Sequence, residues 1–423
     1  MSPGPGSTAP LSASDIDEAA QRIAGVVACT PLQYSERLSE ATGATIYLKR
    51  EDLQTVRSYK LRGAHNLLMQ LTPDELAAGV VCSSAGNHAQ GFAMACRSMG
   101  VHGRVYVPAK TPKQKRDRIR YHGREFIELI PIGKTYDEAA AAALDDVART
   151  SATLVPPYDD LRTMAGQGTI AAEILDQLDG EPDLVVVPVG GGGCIAGITT
   201  YLAERTTSTS VLGVEPAGAA AMIAALAAGE PVTLDHVDQF VDGAAVNRAG
   251  TLTYAALAAA GDMVSITTVD EGAVCTAMLD LYQNEGIIAE PAGALSVAAL
   301  LEADIEPGST VVCLISGGNN DVSRYNEVLE RSLVHLGLKH YFLVDFPQEP
   351  GALRRFLDQV LGPHDDVTLF EYVKRNNRDT GEALVGIELG SAADFEGLLE
   401  RMRASDIHVE ALEPGSPAYR YLL

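Results

Sequence analysis

Residues 187–197 read VPVGGGGCIAG: an apolar run, then Gly190, Gly191, Gly192 and Gly193 in succession, then an apolar run again. Each glycine gives up more backbone freedom on folding than alanine does, about 0.5–1 kcal/mol apiece, so four in a row need a reason. Upstream, DLVVVPV (183–189) reads as a strand; downstream, CIAGITTYLAE (194–204) reads as a helix. A strand that feeds a glycine turn into a helix aims free N–H groups and a helix dipole at whatever lies there, and phosphate is the usual ligand of such an end. A turn that only packs tightly is the other reading of the same residues. No Lys-Ser or Lys-Thr follows the glycines at P-loop spacing, and the run comes too late in the chain for an N-terminal dinucleotide fingerprint. A phosphate held here would belong to another kind of cofactor.

The pattern around this stretch alternates from about residue 14 to 330. SDIDEAAQRIAG (14–25) predicts a helix with Ser14 as its cap and Asp17 three residues on. ATIYLKR, GVVCSS, GRVYVP, EFIELI, DLVVVPV, SVLGVEP and TVVCLIS predict short strands. Helix-length stretches lie between them, such as NHAQGFAMACRSMG (87–100), where Phe92, Cys96 and Met99 mark one face and Gly100 the stop. Alternating strands and helices predict an α/β fold with a mostly parallel sheet covered on both sides. Ligands gather at the carboxyl ends of such strands, where SSAGNH, GGGG and SGGN all fall. Near residue 335 the order becomes strand, helix, strand, strand, helix, strand, a separate βαββαβ unit. The expected division is a flexible lead-in over 1–13, a catalytic domain over 14–334 and a small domain over 335–423.

Composition narrows the function. A chain of 423 residues, 46% hydrophobic, is long enough for two or three domains with a large core. Its 56 acidic and 32 basic side chains leave a formal charge of -24, which repels nucleic acid and anionic membranes. The one basic stretch, KTPKQKRDRIRYHGR (110–124), reads as a solvated helix face. Six cysteines stand singly, with no C-x-x-C pair and no metal-ligand spacing, as small core residues of a reducing compartment do. The opening MSPGPGSTAPLSAS has neither a basic nor an apolar region of a signal peptide, and no apolar run reaches about 18 residues. A soluble cytoplasmic protein is expected.

The chemistry centres on Lys60 in RSYKLRGA, the only lysine between Lys49 and Lys110. Alone it would be an ordinary first-turn lysine. Beside a glycine-rich phosphate cradle it becomes a Schiff-base former, because burial lowers an amine's pKa and pyridoxal phosphate needs both a tether and a phosphate anchor.

In this order and spacing, YLKREDLQTVRSYKLRGA, SSAGNHAQGFA, PVGGGGCIAG, AEPAGALS and ISGGN closely resemble the fold-type II pyridoxal phosphate enzymes, and among them the biosynthetic threonine dehydratases. The resemblance covers essentially the whole chain. It implies a two-lobed parallel-sheet catalytic domain followed by an ACT-like domain. Lys60 is then the Schiff-base lysine and the base for the α-proton, and Asn87 bonds the cofactor's ring hydroxyl. Gly190, Gly191, Gly192, Gly193 and Cys194 hold its phosphate, and Ser316 faces the pyridine nitrogen. A neutral hydroxyl there makes the ring a weaker electron sink than a carboxylate would, which favours loss of the β-substituent. Ser84, Ala85, Asn87 and His88 receive the substrate carboxylate, with the His88 side chain as a packing or orienting group. Glu290, before Pro291 at a helix start, is either a cap or a neighbour of the cofactor.

The resemblance further implies conversion of L-threonine to 2-oxobutanoate and ammonia, the committed step toward isoleucine, with serine as a slower substrate. The racemases of the family carry a serine where this chain has Ala85, so racemisation is disfavoured. The acidic pair of a divalent-metal site is incomplete, Glu215 being present but Ala221 standing in the second position, and no metal is expected. EPGALRRF (349–356) resembles the regulatory domain of the biosynthetic enzymes, which implies inhibition by isoleucine, opposition by valine and pairing of units in a homotetramer. Tyr372 and the PQEPGAL turn are candidate effector residues, with plain core or loop roles as the alternative. Threonine synthase, a serine-specific dehydratase and a non-catalytic amino-acid sensor are the competing readings; the first would want extra cations in SSAGNHAQG, and the last would have lost Lys60.

Overall fold

The computed structural model describes residues 10–372, 379–405, 407–413, 416 and 419. The chain forms two compact units, Met1–Asn320 and Asp321–Leu423. Of the expected lead-in, residues 1–9 lie outside the described residues. Ala13 is already helical and buried, because the first helix is Ala13–Ile23. Its cap is Ser12 rather than Ser14: the Ser12 hydroxyl accepts the Asp15 N–H (3.3 Å), and Asp15 Oδ2 accepts the Ser12 N–H (2.9 Å). That reciprocal box satisfies two orphan donors at once. Asp17 instead accepts from Tyr201 Oη at 3.0 Å and pairs with Arg205.

Among the described residues, ten strands build the first unit: β1 (Leu32–Tyr34), β2 (Thr45–Arg50), β3 (Val80–Ser83), β4 (Gly103–Val107), β5 (Ile127–Pro131), β6 (Thr153–Leu154), β7 (Leu184–Pro188), β8 (Ser210–Pro216), β9 (Val264–Val269) and β10 (Thr310–Ile315). One sheet has the order β1-β2-β10-β7-β8-β9, parallel except for the antiparallel edge strand β1. The other, β5-β4-β3-β6, is wholly parallel. This is the two-lobed α/β architecture expected. β1, β6 and β9 were not anticipated. The first two span three and two residues, too short for a period, and in VSITTV of β9 the alternation of Val264 and Ile266 breaks at Thr267 and Thr268.

Strands covered on both faces should be apolar throughout, and Val185, Val186 and Val187 of β7 are all fully buried. Val185, Val187, Val312 and Leu314 pack with Ile170, Ile195 and Leu202 from helices Leu161–Gln177 and Gly193–Arg205. On β10, Leu314 O accepts from Ser296 Oγ (2.9 Å) of helix Pro291–Glu302. In the smaller sheet, Val80, Cys82 and Val105 meet Phe92 and Cys96 of helix Asn87–Met99, which stops at Gly100 in the left-handed region (φ 69).

The second unit has β11 (Lys339–Pro347), β12 (Asp366–Tyr372), β13 (Thr380–Glu388) and β14 (His408–Ala411), with helices Ala352–Val360 and Phe395–Ala404 in βαββαβ order. Its sheet is antiparallel, β12-β13-β11-β14, over a core of Phe342, Val344, Phe356, Val385, Ile387 and Leu398. Helix Tyr325–His335 belongs to this unit too: Glu330 accepts from Lys339 Nζ (2.6 Å) and from the Tyr341 hydroxyl on β11.

A buried ion network joins the elements around Lys60. Arg62, fully buried on helix Lys60–Leu68, forks onto Glu51 (2.8 and 2.7 Å) and onto Glu173 (2.7 and 2.8 Å). Lys49 Nζ bonds Glu173 Oε2 (2.6 Å), Thr30 O (2.7 Å) and Gln177 Oε1 (2.9 Å). Burial alone would raise the Glu51 carboxyl; Arg62 and the Thr30 hydroxyl outweigh it and hold that carboxyl below its ordinary 4.5. A lowered carboxylate lends stability that is complete above its ordinary value and is lost as pH falls below it. Arg62→Met strands Glu51 without its counter-charge and is expected to cost about 3–5 kcal/mol of unfolding free energy, read from urea denaturation near neutral pH. Arg62→Lys should recover only part, since an ammonium has no fork.

Candidate active site

Three loops leave the carboxyl ends of parallel strands: residues 84–86 after β3, 189–192 after β7 and 316–320 after β10. Helix Lys60–Leu68 begins against the third, its approach fixed by the Tyr59 N–H to Ser316 O bond (3.2 Å) and a bridge between Ser58 and Gly317. Asn319 Nδ2 donates to Val56 O and to Asn87 Oδ1, both at 2.8 Å, drawing the first loop's helix to the third. Lys60, Asn87, Cys194 and Ser316 are thereby brought to one place.

The glycine loop packs tightly and leaves a helix start without a side-chain cap. Gly192 (φ 93) caps helix Gly193–Arg205 without any side-chain bond, and the helix's first bond runs from the Ala196 N–H to Gly192 O (2.9 Å). The N–H groups ahead of Ala196 are the orphan donors that an anion takes. Packing also demands glycine here: a Cβ on Gly191 would lie 2.3 Å from the Tyr158 ring. Behind the loop, Gly191 O accepts from Thr253 Oγ1 (2.7 Å) and from the Gly250 N–H (3.2 Å). The Cys194 thiol is pushed by burial up to about 12, so it stays a neutral thiol in this cradle.

Lys60 Nζ lies 3.4 Å from Pro157 O and 5.0 Å from the centre of the Tyr59 ring. Burial pulls its amine down to about 8, against the pull of Glu290. An amine so lowered has a nucleophilic lone pair near neutral pH. His88 is buried and its Nε2–H donates to Val155 O (2.8 Å). Burial, then the charge of Lys60, lowers its ring to about 4. A neutral imidazole tied to a carbonyl orients the loop and is poorly suited to act as a base. Helix Asn87–Met99 opens at Gly86 with no side-chain cap, so its first-turn N–H groups, beside Ser84 and Ala85, suit a carboxylate. Ser316 Oγ donates to Ala292 O (3.2 Å), and a ring nitrogen would compete for that single proton.

Glu290 occupies the N-cap position of helix Pro291–Glu302, yet its side chain makes no cap bond. Its Oε1 instead accepts from Asn87 Nδ2 at 2.5 Å, so the side chain is not a cap. Glu215 is a cap: its oxygens accept the Met222 and Ile223 N–H groups (2.7 and 2.9 Å) of helix Ala221–Ala228. Asn319 and Tyr158 escaped the sequence reading. Asn319 was visible as the last letter of ISGGN; nothing local marked Tyr158, whose partner glycines lie thirty residues on. In the second unit, Tyr372 lines a cavity of about 480 Å³ with Phe346, Phe370, Leu353, Leu357 and residues of the PQEPGAL turn.

Residues 23–317 match the family model described as pyridoxal-phosphate dependent enzyme, and residues 330–422 match that of the C-terminal regulatory domain of threonine dehydratase. The chain therefore belongs to the pyridoxal-phosphate-dependent enzymes, on the fold-type II architecture. It is 88% identical over 413 residues to the biosynthetic L-threonine dehydratase IlvA of Mycobacterium tuberculosis (strain ATCC 25618 / H37Rv), covering 98% of this chain and 96% of the relative. It is 49% identical to that of Bacillus subtilis (strain 168), covering 98% of each. Among solved structures, the processed form of threonine deaminase isoform 2 from Solanum lycopersicum superposes with a TM-score of 0.70 at 35% identity, over 77% of this chain and 91% of that one. Maize serine racemase gives 0.70 at 29%, over 77% and 99%. Within the larger family, the chain is a member of the biosynthetic threonine dehydratases.

Residues and cofactor fit in kind: an amine lowered by burial, a helix end with orphan donors, and an amide and a hydroxyl of the types that polar ring atoms take as partners. Gly191→Ala drives a methyl group into the Tyr158 ring and is expected to weaken cofactor retention at least about tenfold, read from the visible absorbance of the bound cofactor. Undiminished retention would mean that the loop tolerates displacement and does not set the phosphate site.

Proposed function

We propose that the chain deaminates L-threonine to 2-oxobutanoate and ammonia, with the roles that follow. The observation that carries this reading is Lys60, its amine lowered to about 8, set among three strand-end loops of which one is a helix-end anion cradle. When bound, pyridoxal phosphate supplies an electron sink for the charge left on the substrate's α-carbon. Lys60 tethers the cofactor and its Nζ accepts the α-proton. The backbone of Gly190, Gly191, Gly192, Gly193 and Cys194 holds the phosphate, Asn87 the ring hydroxyl, and Ser316 the ring nitrogen. Ser84, Ala85, Asn87 and His88 seat the substrate carboxylate at the start of helix Asn87–Met99. Ala85 offers no proton donor to the face opposite Lys60, which supports elimination over racemisation.

The second unit is regulatory. Isoleucine as inhibitor and valine as its opponent fit the cavity at Tyr372: Phe346, Phe370 and Leu357 suit a branched side chain, and Glu349 and Asp358 suit an ammonium group. A homotetramer working in the cytoplasm completes the proposal. Among the described residues, no helix is long and apolar enough to cross a membrane.

The test is release of 2-oxo acid from threonine by the purified, cofactor-loaded protein, with and without isoleucine. Lys60→Ala should abolish turnover while leaving the unfolding midpoint near that of the parent chain; retained turnover would sink the assignment. Leu353→Glu, which puts a charge into the apolar wall, should raise the isoleucine concentration for half-inhibition at least about tenfold. An unmoved inhibition curve would place the effector elsewhere.

A further inference from the structure

Three motifs that are far apart in sequence meet on one carboxylate. Glu290 of AEPAGA is 4% exposed, and its Oε1 accepts from Asn87 Nδ2 of AGNHA at 2.5 Å. The backbone N–H of Asn319, in ISGGN, also donates to it, while Asn319 Nδ2 donates to Asn87 Oδ1 at 2.8 Å. The second glycine requirement of the site follows from this: a Cβ on Gly317 would lie 2.3 Å from Glu290 Oε1.

This arrangement fixes which way the Asn87 amide points. Turned over, its carbonyl would face the carboxylate and its NH₂ would face the NH₂ of Asn319, two repulsions in place of two bonds. With one N–H given to Glu290 and the oxygen turned to Asn319, the donor that the side chain has left is its second N–H. We propose that Glu290 is a positioning residue, whose carboxylate holds Asn87 as a hydrogen-bond donor toward the cofactor's ring hydroxyl. The inference rests on the assignment of Asn87 to that hydroxyl, and it assigns Glu290 a role in loading the cofactor.

The bond to Asn87 asks for an ionised Glu290. Burial, then the charge of Asp242, pushes this carboxyl up to about 7; Asn87, Lys115 and the Asn319 N–H pull it back. Lys60 and Arg118 also face it with positive charge, and Tyr59 with its phenol. Below about 7 the carboxyl takes a proton and becomes a weaker acceptor for Asn87. Cofactor affinity should therefore fall as pH drops through that value, and the fall should need both residues.

Pyridoxine 5′-phosphate isolates the effect, since it keeps the ring hydroxyl and phosphate but has no aldehyde to react with Lys60. Its dissociation constant is measured on the full-length, cofactor-free protein at intervals from about pH 6 to about pH 8.5, a range that brackets the Glu290 transition. Relative to the parent chain at the upper pH, Glu290→Gln and Asn87→Ala should each weaken binding about tenfold, and the double variant should be no weaker than Asn87→Ala alone. Both single variants should also lose the part of the pH dependence centred near 7. If Asn87→Ala binds as the parent does, the assignment of Asn87 fails and the inference with it. If Asn87→Ala weakens binding but keeps the limb near 7, or the two losses multiply, the assignment stands and the role of Glu290 is overturned. The Asn87→Ala profile decides the matter even if Glu290→Gln does not fold.

Discussion

The guanidinium of Arg62 sits without solvent between two carboxylates, and the placement of the reactive lysine follows from it. Arg62 lies two residues after Lys60 on the same helix; Glu51 opens the turn after β2, and Glu173 stands on the long helix that backs the larger sheet. Pinning those three elements fixes the helix end that presents Lys60. Lys49 adds a second cation to Glu173, so two positive and two negative groups share the interior and none is left uncompensated. Such a cluster adds little net stability over an apolar packing, because desolvation consumes most of the Coulomb gain. What it supplies is position, since forked bonds of 2.7–2.8 Å tolerate little sliding of one element past another.

Burial then does the chemical tuning. It acts on the site's ionisable groups in the direction of neutrality: Lys60 down to about 8, His88 down to about 4, Glu290 up to about 7. Glu290 restrains the loss of charge on Lys60, so the lysine and the carboxylate that faces Asn87 are electrostatically linked. The result suits a base that must accept a proton near neutral pH.

Much of this was legible in one dimension. Strands read from apolar runs appeared at β2, β3, β4, β5, β7, β8 and β10, and the βαββαβ tail emerged in order, because period and turn residues are local properties. The misses have local causes as well. The first helix starts at Ser12 instead of Ser14, since SASDIDE offers two overlapping serine–acid pairs and only the docking of Ala13 against the core chooses between them. β1 and β6 are strands only because a neighbouring strand supplies their partners.

The sequence by itself determined where the glycine run and the lysine had to be, and hence the class of cofactor, because a backbone that approaches an anion and an amine that forms a Schiff base each leave a signature within a dozen residues; the reaction followed from the resemblance of five motifs to the biosynthetic threonine dehydratases. Only the tertiary structure decided what those groups face. Glu290 meets Asn87 across 203 residues of chain, Arg62 meets Glu173 across 111, and Tyr158 fills the space that Gly191 leaves open. Hydrogen-bond partners and desolvation are set by which surfaces come together in space, and no window of sequence contains both surfaces.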